Sequence, residues 1–295
     1  MIVSCLTNET KLTDSASISL IYKKRHATIH TMELTFFGTG SSTPTPSKPL
    51  RSYSGFSVEI ADAFLLFDIG PGTISKMLEK GIDIQKKPTD LFISHFHLDH
   101  CLDYITLLKA RGLYAKYHGR PESILNAYGP MGFQKFSKNL FEGIEQWKYM
   151  SDELKVFDQM KISEVIKGVV AESEKWKVSA TPITHYNGVC YLLESEGKSL
   201  VYSGDMGYDE TIAEIGENAD LAILECSYPS REENKGLHLC PEDIGKLAKK
   251  GNFKHVLLTH LYPACEGQEE EMIKKIISIA SCEVSIANDF MKRTI

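Results

Sequence analysis

The chain has no CxxC pair, no excess of positive charge and no apolar run approaching the ~20 residues that span a bilayer. Each absence excludes something. Seven cysteines, at positions 5, 101, 190, 226, 240, 265 and 282, are odd in number and scattered, which argues against a disulfide framework and for a reducing compartment. A cytoplasmic location without a membrane partner is therefore expected. Because 39 acidic residues outnumber 33 basic ones, the net charge is −6 and no global positive field draws the chain to nucleic acid.

A secretory signal is also missing. No basic region leads, and Glu9, Lys11 and Asp14 interrupt any apolar core. Residues 1–31 are rich in Ser and Thr and lack periodicity. They are expected to form a disordered extension, as an initiation codon set too far upstream would produce. "MELTFF", from Met32, then opens a single domain expected over 32–295.

Within that domain, strand-like and helix-like stretches follow one another without a linker or a repeat. The pattern predicts strands over 33–37, 55–60, 63–67 and 90–94, a helix over 101–114, a strand over "SILNAYGP" and a helix over 131–141. Residues 142–175 are charged and carry no clear period. Strands are expected again over 176–184, 189–195 and 198–203. Helix 208–216, strand 219–225, helix 241–250, strand 255–259 and helix 268–280 complete the series. Strands come in runs in both halves. That ordering predicts an α+β fold of two packed sheets with helices outside, rather than one doubly wound sheet.

"SHFHLDH", residues 94–100, places three of the ten histidines within six positions. A helix would align His97 with His100, and a strand would align His95, His97 and Asp99. Neither gathers all four, whereas a strand turning sharply into a helix does. Other apolar runs also stop at a potential ligand: "SATPIT" at His185, "SLVYSG" at Asp205 and "HVLLT" at His260. Any one strand-end histidine is ordinarily a hydrogen-bonded structural residue. The cluster differs, because burying three imidazoles and a carboxylate together is costly without a cation. Seven ligands exceed one tetrahedral ion. Two ions use them all, with His95, His97 and His185 on the first, Asp99, His100 and His260 on the second, and Asp205 bridging. Cys101, next to the cluster, reads as a small buried residue rather than a ligand.

"HFHLDH" followed by His185, Asp205 and His260 at successive strand ends resembles the metallo-β-lactamase-fold hydrolases, over roughly residues 32–290. The resemblance implies an αββα sandwich of two mixed sheets packed face to face, with a dinuclear site along one edge. Histidine at 97, where the di-iron flavoprotein branch carries glutamate, favours two Zn²⁺ per chain, with Mn²⁺ or Fe²⁺ admissible. Asp205, where the true β-lactamases lack a bridging aspartate pattern and use cysteine in the second site, argues against antibiotic hydrolysis. "FFGTGSSTPTP", "LLFDIGPGT", "AYGPMGF" and "KGLHLCPEDIGKLAKK" are similar to the ribonuclease Z and phosphodiesterase group. In that group the aspartate matching Asp68 supports a metal-bound histidine from behind, and the histidine matching His238 is an additional active-site residue.

Departures from the group shape the expected substrate. Pro71 stands where ribonuclease Z has glutamate, and "CLDYIT" where it has Gly-Leu-Pro-Gly. The tRNA-gripping arm of ribonuclease Z falls between the positions of His185 and Asp205, where this chain has only 19 residues. With the negative net charge, these point to a small-molecule phosphodiester as substrate and disfavour nucleic acid. A water ionised by the metals is expected to attack phosphorus in line, Asp99 orienting it and His238 protonating the leaving group. Pre-tRNA 3′ cleavage of the ribonuclease Z kind and acyl hydrolysis of the lactonase or thioesterase kind are the alternatives. A non-catalytic binding role is argued against by a complete metal set, and a homodimer is compatible with the sequence.

Overall fold

The computed structural model describes residues 31–43, 50–234 and 236–295. The extension expected over 1–31 lies, but for Thr31, outside the described residues. Along the chain come β1 (Glu33–Gly38), β2 (Gly55–Ile60), β3 (Ala63–Phe67), α1 (Thr73–Glu79), β4 (Asp90–Phe92), α2 (Leu98–Cys101) and α3 (Asp103–His118). β5 (Leu125–Pro130), α4 (Phe133–Phe141), α5 (Tyr149–Asp152), β6 (Met160–Val165), β7 (Gly168–Glu172), β8 (Lys177–Pro182), β9 (Val189–Ser195) and β10 (Lys198–Tyr202) follow. The chain ends with α6 (Thr211–Ile215), β11 (Leu221–Glu225), α7 (Pro241–Gly251), β12 (His255–Thr259), α8 (Glu269–Ile279), β13 (Glu283–Ile286) and β14 (Lys292–Thr294).

Among the described residues these strands form two seven-stranded sheets, in the orders β14-β1-β2-β3-β4-β5-β6 and β13-β12-β11-β10-β9-β8-β7. Each sheet is mixed: β3 to β6 run parallel, as do β10 to β13, and the remaining neighbours are antiparallel. The αββα sandwich expected from the sequence is the fold observed. Side-chain alternation accounts for its layers. Leu65 and Phe67 face the second sheet, where Tyr191, Leu193 and Leu257 meet them. Phe64 and Leu66 face outward onto Tyr104, Leu107 and Leu108 of α3. The second sheet likewise turns Ala222 and Leu224 outward onto Ile244 and Leu247 of α7 and Ile276 of α8. Strands buried on both faces read as continuous apolar runs, which is why "FLLF" and "LAIL" lack a polar alternation.

Five aromatic rings form a ladder across the first sheet. Phe36, Phe56, Phe67, Phe92 and Tyr128 are cross-strand partners on β1 to β5, and successive ring centroids lie 4.9–5.3 Å apart. Tyr202 and Tyr191 of the second sheet meet the ladder edge-on. Because Phe67 precedes Asp68 and Phe92 lies three residues before His95, the ladder forms the floor beneath the strand ends.

Six elements stand out against expectation. β6 and β7 occupy the charged stretch 142–175, whose exposed edges hid the strand pattern. α1 and the two C-terminal strands were not foreseen, being 7 residues or fewer and only partly buried. α6 is a five-residue turn of helix rather than 208–216. No described helix is long and apolar enough to cross a membrane. Replacing Phe67, fully buried under the site, by alanine should cost about 3–5 kcal/mol, read from urea unfolding. A loss below about 1 kcal/mol would mean the ladder is not the packing centre of the sandwich.

Candidate metal centre

β4 ends at Phe92, the chain bends at Ser94, and His97, extended at φ −66° and ψ 147°, stands just before the first turn of α2. His95 and His97 therefore project from the loop after β4, while Asp99 and His100 come from the helical turn. Two glycines permit this junction. A Cβ at Gly70 would lie 2.0 Å from the Asp99 carbonyl oxygen, so only glycine lets the 68–72 loop pass beneath the turn. Gly204, at φ +58°, sits where a Cβ would fall 2.7 Å from the Ser94 Cβ, which brings the loop after β10 against the loop after β4. Asp205 thereby reaches the histidines of the other sheet.

All seven ligand candidates converge. His95, His97, His185 and Asp205 form one group and Asp99, His100, Asp205 and His260 a second, with donor atoms in each within 4.8 Å of one another. Asp205 belongs to both. Its carboxylate lies 3.3 Å from His100 Nε2, 3.4 Å from His260 Nε2 and 3.8 Å from His95 Nε2, and Asp99 Oδ2 lies 3.2 Å from His260 Nε2. A tetrahedral ion with bonds of about 2.0–2.1 Å sets its donors roughly 3.3 Å apart. The spacing fits.

Polar satisfaction points the same way. Nε2 of His95, His100 and His185 and Oδ1 of Asp205 are buried and make no hydrogen bond with the protein. The opposite ring nitrogens are all held. Ser94 Oγ donates to Asp68 Oδ2 (2.8 Å), so it must accept from His95 Nδ1 (3.0 Å). Ser227 Oγ donates to Glu225 Oε2 (2.6 Å) and so accepts from His260 Nδ1 (3.0 Å). His100 Nδ1 donates to Asp68 (2.7 Å) and His185 Nδ1 to the Leu237 carbonyl (3.3 Å). Each imidazole is thus fixed with a lone pair on Nε2 facing the centre, the form a divalent metal takes.

Charge follows geometry. Burial, helped by neighbouring His100, keeps His95 well below the ordinary imidazole value. Burial opposes ionisation of Asp205, but His260, His100 and His95 hold it well below the usual carboxylate range. His100 is driven the other way against its burial by Asp205 and Asp68, so the space between these carboxylates favours positive charge.

Asp68 is fully buried at φ 55° and accepts from Ser94 N and Oγ, His100 Nδ1 and Tyr202 Oη, all within 2.6–2.8 Å. His238 lies beside the second group, its ring 5.8 Å from that of His260, and its Nδ1 is 2.9 Å from Glu225 Oε1. Burial pushes the His238 imidazolium down, yet the hydrogen bond and charge of Glu225 outweigh it and raise His238 above its ordinary value. Cys101 is buried with its thiol on the His97 carbonyl, away from the donors. Glu225 was not foreseen. It ends the apolar run "LAILE", so the strand-end pattern that found four ligands marks it too.

Residues 65–261 match the family described as the beta-lactamase superfamily domain. Among curated relatives, ribonuclease Z of Methanothermobacter thermautotrophicus is 26% identical, covering 78% of this chain and 86% of that protein. Ribonuclease Z of Pyrococcus horikoshii is 26% identical over 88% of this chain and 94% of its own. In fold, the metallo-β-lactamase-fold protein YhfI of Bacillus subtilis superposes with a TM-score of 0.74 at 23% identity, covering 90% of this chain and all of its own. The short form of human tRNase Z gives 0.69 at 20% identity, covering 89% and 98%.

These relatives overturn one expectation. A missing arm and a negative net charge pointed to a small-molecule substrate and away from nucleic acid. Proteins named ribonuclease Z match over most of their length, so neither feature excludes RNA. Net charge averages over the whole surface, whereas phosphate contacts depend on the local field. Divalent metal use stands.

Asp68→Asn, which keeps the shape and tolerates the left-handed backbone, should weaken divalent metal binding about 10–100-fold. Competition against a zinc indicator measures this. Unchanged affinity in a folded variant would remove Asp68 from the metal's support.

Proposed function

We propose that this chain, which belongs to the beta-lactamase superfamily and is a metal-dependent hydrolase, cleaves phosphodiester bonds of RNA in the manner of a ribonuclease Z, with two divalent ions bound. The observation that carries this reading is the pair of donor groups joined by Asp205 with the His238–Glu225 pair beside them. Ribonuclease Z relatives that align over most of their length support the choice of RNA.

His95, His97 and His185 would hold one ion, Asp99, His100 and His260 the other, and Asp205 both. Imidazole with carboxylate suits zinc, and Mn²⁺ or Fe²⁺ can serve at the same donors. When bound, such ions supply Lewis acidity toward phosphoryl oxygens and let water ionise near neutral pH. The protein's own residues do the rest. Asp99, at the edge of the second group, orients the attacking water, which releases one proton to solvent as it ionises. A new bond forms between water oxygen and phosphorus as the ester P–O bond breaks, and the departing alkoxide takes a proton from His238. Glu225 Oε1 accepts a hydrogen bond from His238 Nδ1, which fixes the ring and leaves Nε2 as the donor.

Elemental analysis of zinc-loaded protein should find roughly two ions per chain, as a carboxylate-bridged site requires. Asp205→Ala should lose both, and His260→Ala chiefly one. Full activity with near one ion would sink the paired reading.

A precursor tRNA and a chromogenic diester, given separately to zinc-loaded protein, test substrate and acid together. Both should be hydrolysed, and the precursor cut near its 3′ end. His238→Ala should slow the RNA reaction about 10²–10⁴-fold with metal content retained, and slow the nitrophenyl ester much less, because nitrophenolate needs little protonation. An intact precursor alongside a hydrolysed diester would refute RNA as substrate. Equal losses on the two would remove the acid role.

A further inference from the structure

We infer that Tyr186 and the stacked pair Tyr228–Tyr262 are nucleobase ledges, one beside each donor group, that seat single-stranded RNA across the metal centre. This rests on the RNA reading above and adds to it the residues that grip the strand. Tyr186 is 67% exposed although its ring lies 4.9 Å from both the His97 and the His185 rings. An exposed ring contributes little to a core, so its position needs another reason. Its backbone sharpens the point. Tyr186 has φ 29° and Asn187 φ 63°, a region that side-chain-bearing residues rarely adopt. The turn is held there by a hydrogen bond from Asn187 Nδ2 to the Met131 carbonyl at 2.7 Å. Strained backbone that aims an aromatic face over a reactive centre is characteristic of a substrate contact.

On the other side, Tyr228 and Tyr262 stack nearly parallel, with centroids 5.4 Å apart and planes 9° from one another. Tyr262 lies 5.6 Å from the His238 ring and 5.8 Å from the His260 ring. Both tyrosines are half-buried. An aromatic face accepts any base by stacking, without reading its sequence. Ledges on both sides of the cleavage point require the two flanking bases to splay apart, which a single strand allows and a duplex resists. For a chain of net negative charge, stacking is also a way to hold RNA that does not depend on many basic side chains.

The test is a coupling experiment on zinc-loaded protein. Short oligoribonucleotides carry either a normal or an abasic residue at the positions flanking the cut. Tyr186→Ala and Tyr262→Ala should each lower kcat/KM on the normal strand by about 5- to 150-fold. That loss should collapse several-fold when the facing nucleotide is abasic, and Tyr186→Phe or Tyr262→Phe should recover most of it. Equal losses on normal and abasic strands overturn the ledges and leave the RNA reading standing. Wild-type protein that hydrolyses a chromogenic diester and cleaves no oligonucleotide overturns both.

Discussion

Three imidazole nitrogens and one carboxylate oxygen, on His95, His100, His185 and Asp205, are buried at the junction of the two sheets without a hydrogen-bond partner in the protein. Each such atom costs about 1–3 kcal/mol unless something satisfies it. Divalent cations at the two donor groups satisfy all of them, so the fold carries this cost through its ligands. The consequence reaches beyond the site. His95 and His100 follow β4 in the first sheet, whereas His185 and Asp205 follow β8 and β10 in the second. Metal binding therefore ties the two sheets together, and what binds only the native chain stabilises it.

What keeps the donors in place before any cation arrives is a row of buried oxygen acceptors behind them. Asp68, from the first sheet, takes hydrogen bonds from Ser94, His100 and the hydroxyl of Tyr202, which crosses from the second. Glu225 plays the same part on the other flank, accepting from Met206 N, Ser227 and His238. Two carboxylates thus set the orientation of His95 and His100 on one side and of His260 and His238 on the other, partly through serines. Buried carboxylates surrounded by donors are high-stakes groups, since losing one leaves several partners unpaired. Left-handed backbone at Asp68 and at His260, φ 55° and 58°, is the conformational strain accepted for this arrangement.

The sequence made the ligands easier to read than their supports. Ligands stand at the ends of apolar strands, where a polar residue interrupts a pattern: four of the seven candidates were visible as such interruptions, and His97, Asp99 and His100 by their spacing after His95. Glu225 breaks "LAILE" in the same way and could have been counted with them. Ser94, Ser227 and Tyr202 could not, because a serine beside a histidine or a tyrosine within a strand is ordinary until the fold shows what it faces. The sandwich was legible from strands arriving in runs. β13 and β14 were not, since four- and three-residue edge strands with exposed side chains have no period to detect. Nor was the ring ladder from Phe36 to Tyr128, because cross-strand register is set by pairing between distant segments.

Net charge misled for a physical reason that bears on the site itself. A value of −6 counts every ionisable side chain equally, yet Asp68, Asp99, Asp205 and Glu225 are buried at the centre, where a bound cation and not solvent is their counter-charge. Held ions are the largest local charges in such a site and reverse the sign a bare residue count assigns to it. An anionic backbone approaching this edge therefore meets a field that the composition does not describe. Stacking adds affinity that needs no positive side chain, and the aromatic faces beside both donor groups are contacts of that kind.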